Sequence, residues 1–373
     1  MPRSPDVLVI GGGVIGLAIA RRVAQRGGRV TVIERGVPGH EASWAAAGML
    51  APQCESDTID PFFDLCRASL GLYPAFAHAL RDEAGMEIEY RVDGTLYPAL
   101  DDREQKTLEQ RYQRQREAGL PVVRLTAKEA RTIEPNLSNR VQMALSFPDD
   151  HQVDNRKLAQ ALVVAARRAG VDVREGVTIT RILTDGDRVI GAVTKTEEWH
   201  PDVVVNAAGC WASVLNGLPP GACPPIRPIR GQMLSLDVSA SPPFRRVIYS
   251  HRSYLVPRAD GRLLIGATVE EAGFKKQVTV GGILKLFKGA LDLAPSLREY
   301  PVESTWSGLR PASPDRLPVL GPAALDGLIL ATGHYRNGIL LAPITGELIS
   351  DVITTGDIPP MMRPFLPGRF ERV

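Results

Sequence analysis

The first regular pattern along the chain is an apolar run, VLVI at 7–10, then three glycines, a helix-period stretch, and a second apolar run, VTVI at 30–33. Short continuous apolar runs predict strands covered on both faces, and the stretch between them predicts an amphipathic helix. After Glu34 the pattern changes. The small-residue stretch SWAAAGMLAP occupies 43–52, and helical periodicity follows at 61–85. The spacing predicts a strand over 89–100 with a turn at 92–94, then a polar helix over 103–119 lacking a wide apolar face and expected on the surface. Asp154 is a suitable N-cap for a helix running to Arg168, and Gly170 suits its stop. Strands are predicted at 171–174, 178–184 and 189–196, with Asp185-Gly186 turning between the last two. DVVVNAAGC at 202–210 reads as a buried strand entering a small-residue turn. Further strands fall within 226–237 and 247–268, and a helix spans 279–293. The chain closes with a strand at 327–331, a turn at Gly333 and a helix over 337–355.

A length of 373 residues exceeds what one hydrophobic core usually serves, so two domains are expected. Cofactor-type elements recur at the start, middle and end of the chain. The expected division is one discontinuous α/β cofactor domain over 1–50, 151–220 and 306–373, with a second domain over 51–150 and 221–305. A net charge of +2 gives no reason to expect nucleic acid or an acidic membrane as partner. No apolar run reaches transmembrane length, and the run at 7–10 is a strand rather than a signal peptide, so a cytoplasmic protein is expected. Cys54, Cys66, Cys210 and Cys223 form no C-x-x-C pair and the histidines do not cluster, so no metal is expected.

Gly11, Gly13 and Gly16 have the G-x-G-x-x-G spacing, with Glu34 placed 18 residues beyond Gly16. Gly11 permits the tight turn, Gly13 lets a pyrophosphate approach the backbone, and Gly16 lets the helix lie close to the strand. The helix N-terminus offers unpaired N–H groups to phosphate, and Glu34 can accept from ribose hydroxyls. This motif alone leaves NAD and FAD open. The C-terminal element separates them. GLRPASPDRLPVLGP at 308–322 precedes ATGHYRNGILLAPITGELIS at 331–350, which is a strand, a glycine turn and another helix N-terminus. Such an N-terminus suits the edge of a flavin ring, where negative charge develops on reduction, and a plain NAD dehydrogenase has no need of it.

The glycine turn at 11–16, the stretch at 45–49, Gly308 to Pro311, and GHYRNGILLAP at 333–343 together resemble the D-amino acid oxidase superfamily of flavoproteins, within it the glycine oxidases of thiamine biosynthesis. The likeness covers essentially the whole chain. It implies a glutathione-reductase-type, Rossmann-like FAD domain beside an α+β mixed-sheet substrate domain, with FAD bound non-covalently. It also implies a small amino acid and dioxygen as reactants, and a homo-oligomer, either tetramer or dimer. Carried over by position, Val14 and Ile15 lie in the phosphate turn and Glu34 and Arg35 beside the adenosine ribose. Ala42, Ser43, Ala47, Gly48 and Met49 run along the isoalloxazine, and Val177 matches a backbone contact to adenine. His334, Tyr335, Arg336, Asn337, Gly338, Ile339 and Leu340 match the C-terminal flavin loop.

Arg310 and Arg336 match the family's substrate arginines, Tyr254 matches a tyrosine whose hydroxyl joins Arg310, and Arg336 is expected to close the pocket beside the flavin. The chemistry requires such groups, because an amino acid carboxylate entering a dry pocket must be paired, and guanidinium grips it through two parallel bonds. Arg310 is the expected clamp. The implied reaction is hydride transfer from the neutral amine to flavin N5, giving glyoxylate or another 2-oxo acid, ammonia or an amine, and hydrogen peroxide. Sarcosine and small D-amino acids are further candidate substrates. Three alternatives remain: a sarcosine oxidase, a D-amino acid dehydrogenase, and a non-catalytic FAD-binding protein. No cysteine follows Cys223, which argues against covalent flavin attachment in that region. Arg252, two residues before Tyr254, could narrow the pocket, face solvent or engage a second carboxylate.

Overall fold

A computed structural model describes residues 6–370. Two large sheets organise it. The first has six strands in the order Val319–Pro322, Leu328–Thr332, Val203–Asn206, Val7–Ile10, Val30–Ile33 and Asp172–Arg174. All neighbours in it are parallel except Val319–Pro322 with Leu328–Thr332. Its central strands are Val- and Ile-rich because helices and a second layer cover both faces. The helices Val14–Gln25 and Gly338–Thr355 cross closely over one face, where a Cβ at Gly346 would sit 3.0 Å from the Ala18 carbonyl oxygen. Gly338–Thr355 alone among the described helices has the length and hydropathy of a membrane span, and most of it is buried in this core.

The second sheet has eight strands in the order Val302–Ala312, Arg227–Asp237, Arg262–Gly266, Tyr254–Pro257, Val247–Tyr249, Thr95–Ala99, Met143–Phe147 and Val123–Thr126. It is antiparallel except where Val247–Tyr249 meets Thr95–Ala99. The helix Val280–Leu293 buries Leu286, Ala290 and Leu293 against it. The fold is therefore α/β with a Rossmann-like sheet and a mixed sheet, as the sequence implies.

Several elements differ from their sequence patterns. The expected strand over 89–100 shortens to Thr95–Ala99, because Glu89 (φ 53°) and Gly94 (φ 83°) turn the backbone out of extended geometry. The polar helix Asp102–Glu117 is not a purely surface element. Its positions Glu104, Leu108, Arg111 and Gln115 are buried; Leu108 packs in an apolar cluster, and hydrogen bonds hold the three polar positions. Arg111 Nη1 donates to the Cys54 carbonyl at 2.6 Å, and Gln53 Nε2 donates to Gln115 Oε1 at 3.0 Å. The helix Pro61–Ala84, expected with the second domain, packs Leu65, Tyr73 and Leu80 into the core of the first sheet. Conversely, Val302–Ala312 runs across the expected boundary at 306 and is an edge strand of the second sheet.

Candidate active site

A cavity of about 360 Å³ lies between the two sheets. One wall is the glycine turn. Gly11 has φ 108°, and a Cβ there would lie 2.5 Å from the Ala207 carbonyl oxygen; a Cβ at Gly16 would lie 2.0 Å from that of Gly11. Gly13 differs, since a Cβ there meets only Ser43 Oγ, at 3.4 Å, beside the cavity. Gly13 is also the N-cap of its helix and no side chain caps it. Ser43 Oγ accepts from Val14 N at 3.1 Å, tying the segment after Glu34 to the helix start. Glu34 faces the cavity and braces the turn, with Oε2 accepting from Gly12 N at 2.8 Å and Oε1 from Gly36 N at 2.9 Å.

The small-residue stretch forms the next wall, with Ala42, Ser43, Ala47, Gly48 and Met49 all lining it. Its shape is enforced from behind. Gly48 has φ 69°, and a Cβ would lie 2.0 Å from the Val153 carbonyl oxygen. The buried Arg258 donates from Nη2 to the Ala47 carbonyl at 2.7 Å and from Nη1 to that of Val153 at 2.9 Å. Burial pulls its guanidinium down to about 10, an effect offset in part by Asp154. Asn155 Nδ2 donates to the Ser43 and Trp44 carbonyls.

The C-terminal segment closes the far side. Tyr335 (φ 48°) donates its N–H to the Pro311 carbonyl at 2.9 Å, and Ala312 bridges to His334. This pairing joins the loop at 334–337 directly to the strand carrying Arg310. His334 is buried with Nε2 3.1 Å from Thr345 Oγ1, and burial pulls its imidazole down to about 3, so it is neutral. The helix Gly338–Thr355 has no side-chain N-cap, and Gly338 and Ile339 open onto the cavity.

Arg310, Arg336 and Tyr254 converge on the same space. Arg310 Nη1 donates to the Thr268 carbonyl at 3.0 Å, and among the described residues no carboxylate pairs with this guanidinium. Tyr254 donates its hydroxyl to Met233 Sδ at 3.2 Å; burial raises the phenol, Arg310 partly opposing, so it stays protonated. Arg336 Nη2 lies 3.3 Å from the Tyr249 hydroxyl and 3.7 Å from Glu55 Oε1, and the Glu55 carboxylate raises the guanidinium further.

Val14, Ile15, Arg35 and Val177 also line the cavity. Gly16, Asn337 and Leu340 sit behind its wall: Gly16 against Gly11, Leu340 in the core, and Asn337 turned to Glu55. Arg252 is elsewhere. Asp101 (2.7 Å), Glu104 (2.5 Å) and Asp292 (3.5 Å) hold it away from the cavity. Sequence reasoning missed Glu55, Trp211 and Gly231, all in the wall. Trp211 stacks beneath Arg35, whose guanidinium carbon is 3.5 Å from the ring centroid. The turn at 207–210 signalled this position. Nothing local marked Glu55 or Gly231.

The family profile of FAD-dependent oxidoreductases of the D-amino acid oxidase type matches residues 6–352. The chain belongs to this family. Its cofactor is FAD, and the wall just described fits that molecule: a cradle at Gly13 that a side chain would narrow, an acid beside it, and a second uncapped helix start across the cavity. The bifunctional ThiO/ThiG protein of Trichormus variabilis is 40% identical over 370 residues, covering 98% of this chain and 55% of that one. The chain thus spans about half the length of the bifunctional relatives it matches. The glycine oxidase of Pseudomonas aeruginosa is 36% identical over 353 residues, 94% of this chain and 95% of that one. The crystal structure of glycine oxidase from Geobacillus kaustophilus superposes with a TM-score of 0.93 at 36% identity, over 98% of each chain. This family member therefore shares its fold, end to end, with glycine oxidases.

Proposed function

We propose that the protein is a glycine oxidase, converting glycine, dioxygen and water to glyoxylate, ammonia and hydrogen peroxide, with a place in thiamine biosynthesis. The observation that carries this reading is Arg310, a guanidinium without an acidic partner among the described residues, facing the FAD cavity. The glycine turn at 11–16, Glu34 and the 42–49 wall would hold FAD, which would supply the hydride acceptor and the two-electron route to dioxygen. The chain's own residues bind and orient. Arg310 pairs with the substrate carboxylate through two parallel donors, and the Tyr254 hydroxyl adds a third. This fixes the Cα–H direction, and the gain is positional. The neutral amine is the reactive form, since its lone pair must stabilise the forming iminium. Transfer of the amine from water into the cavity beside the unpaired Arg310 guanidinium lowers an ammonium pKa through both desolvation and like charge. Sarcosine and small D-amino acids share this carboxylate and fit the same clamp. The working assembly in this reading is a homo-oligomer.

The test is a peroxide assay of the flavin-loaded protein with glycine, sarcosine and D-alanine, repeated on Arg310→Ala. Truncating one partner of a buried charge pair costs about 2–5 kcal/mol, so kcat/KM should fall about 30-fold or more. A variant within a few-fold of wild type removes Arg310 from the role. A wild type that gives no peroxide with any of the three removes the activity.

A further inference from the structure

We infer that Glu55 is a specificity-determining residue that restricts the site to monocarboxylate substrates by occupying Arg336; this rests on the carboxylate-binding reading above. Besides Arg35, which pairs with Glu41 and stacks on Trp211, two arginines line the cavity, and they are not equivalent. Arg310 donates to the Thr268 backbone carbonyl and, among the described residues, pairs with no carboxylate, so its charge is available to a ligand. Arg336 already has its acid. Glu55 Oε1 lies 3.7 Å from Arg336 Nη2, and the other oxygen, Oε2, accepts from Asn337 Nδ2 at 3.4 Å. The Tyr249 hydroxyl completes the set around Arg336.

Glu55 cannot easily swing clear. It ends the short helix Pro52–Glu55, and that helix is pinned from within the protein. The buried Asp150 accepts from Gln53 N at 3.1 Å and from Cys54 N at 2.8 Å. Arg111 Nη1 grips the Cys54 and Ser56 carbonyls at 2.6 and 2.7 Å, on either side of Glu55. Glu55 itself lines the cavity. The pocket therefore presents one uncompensated positive charge at Arg310 and a fixed negative charge at Glu55. A substrate with one carboxylate satisfies this pattern. A second carboxylate would reach Arg336 only by displacing or facing Glu55, and like charges juxtaposed in a desolvated site are strongly disfavoured. The acid thus works as the repulsive element of the selection.

The test uses the flavin-loaded protein and two non-oxidisable probes, acetate and malonate, with affinity read by titration calorimetry. Glu55→Gln keeps the shape and an acceptor for Asn337, removes the charge, and leaves Arg336 unpaired; Glu55→Asp keeps the charge. Wild type should bind acetate in preference to malonate, and Glu55→Gln should shift the malonate-to-acetate affinity ratio toward malonate by about tenfold or more. Glu55→Asp should hold a ratio close to wild type. In turnover, Glu55→Gln should gain iminodiacetate relative to glycine. A Glu55→Gln ratio within about twofold of wild type overturns the inference, whether both affinities stay or both fall together. A wild type that binds neither probe yet reduces no flavin with glycine overturns instead the reading on which it rests.

Discussion

The Arg310 side chain lies over Gly231 of the adjacent antiparallel strand, two residues along from its own partner Ile229, and a Cβ at position 231 would lie 2.4 Å from Arg310 Nη1. The guanidinium thus occupies the space that a side chain at 231 would take. Gly231→Ala should push Arg310 off its position while leaving both strands paired. We expect KM for glycine to rise at least about tenfold, with thermal stability little changed, because misplacing a positioned group by about 1 Å is costly. Steady-state kinetics and a melting curve on the same preparation check this; an unaltered KM would show that Arg310 is not tied to this geometry.

The glycines of the nucleotide turn should separate by role. A Cβ at Gly13 meets only Ser43 Oγ, whereas one at Gly16 drives into the Gly11 carbonyl. Gly13→Ala should fold normally and lose flavin, read as the ratio of absorbance near the flavin band to that of protein. Gly16→Ala should lose fold and flavin together. Equal flavin content in Gly13→Ala and wild type contradicts the placement of the phosphate.

Removing the brace behind the small-residue wall should be costly. Arg258→Met leaves the Ala47 and Val153 carbonyls without this donor inside the protein. A loss of about 2–4 kcal/mol is expected from two unsatisfied buried acceptors, with flavin affinity falling in parallel. Denaturant titration gives the first and flavin fluorescence titration the second. A loss of stability without any change in flavin affinity would separate Arg258 from the site.

His334 should impose a pH dependence of known sign. Burial holds its folded-state imidazole at about 3, below the ordinary 6.5. Between these values the unfolded chain binds more protons than the folded one, so stability is full above about 6.5 and declines as pH falls toward 3. At pH 5 the loss relative to pH 7 approaches about 2 kcal/mol at most. His334→Gln keeps a partner for Thr345 without titrating, so the stability difference between wild type and variant should shrink toward zero or reverse as pH is lowered from 7 to 5. Calorimetric melts of both proteins check it, and parallel pH curves would exclude His334 as the source.

Periodicity exposed the elements that are buried by apolar contact. The strands at 7–10 and 30–33 are unbroken apolar runs buried on both faces, the Asp154-capped helix keeps an amphipathic period, and the final helix is apolar and buried on most of its circumference. It failed at the helix Asp102–Glu117, whose buried face sets one leucine, Leu108, among Glu104, Arg111 and Gln115 held by hydrogen bonds, a burial that hydropathy cannot register. It failed also at 89–94, where positive φ at Glu89 and Gly94 ends the strand early.

The sequence by itself determined the cofactor class, because it rests on local motifs: glycines at fixed offsets around one turn and a second glycine turn before the final helix; the family resemblance carried by these motifs proposed Arg310 and Arg336. Only the tertiary structure decided which arginine is available. Glu55 stands 281 positions before Arg336, and Gly231 stands 79 before Arg310, and neither pair has any local signature. Chain folding brings Glu55 to one guanidinium and leaves the other without an acid among the described residues, and Coulomb attraction at a few ångströms then differentiates two residues that look alike in the sequence.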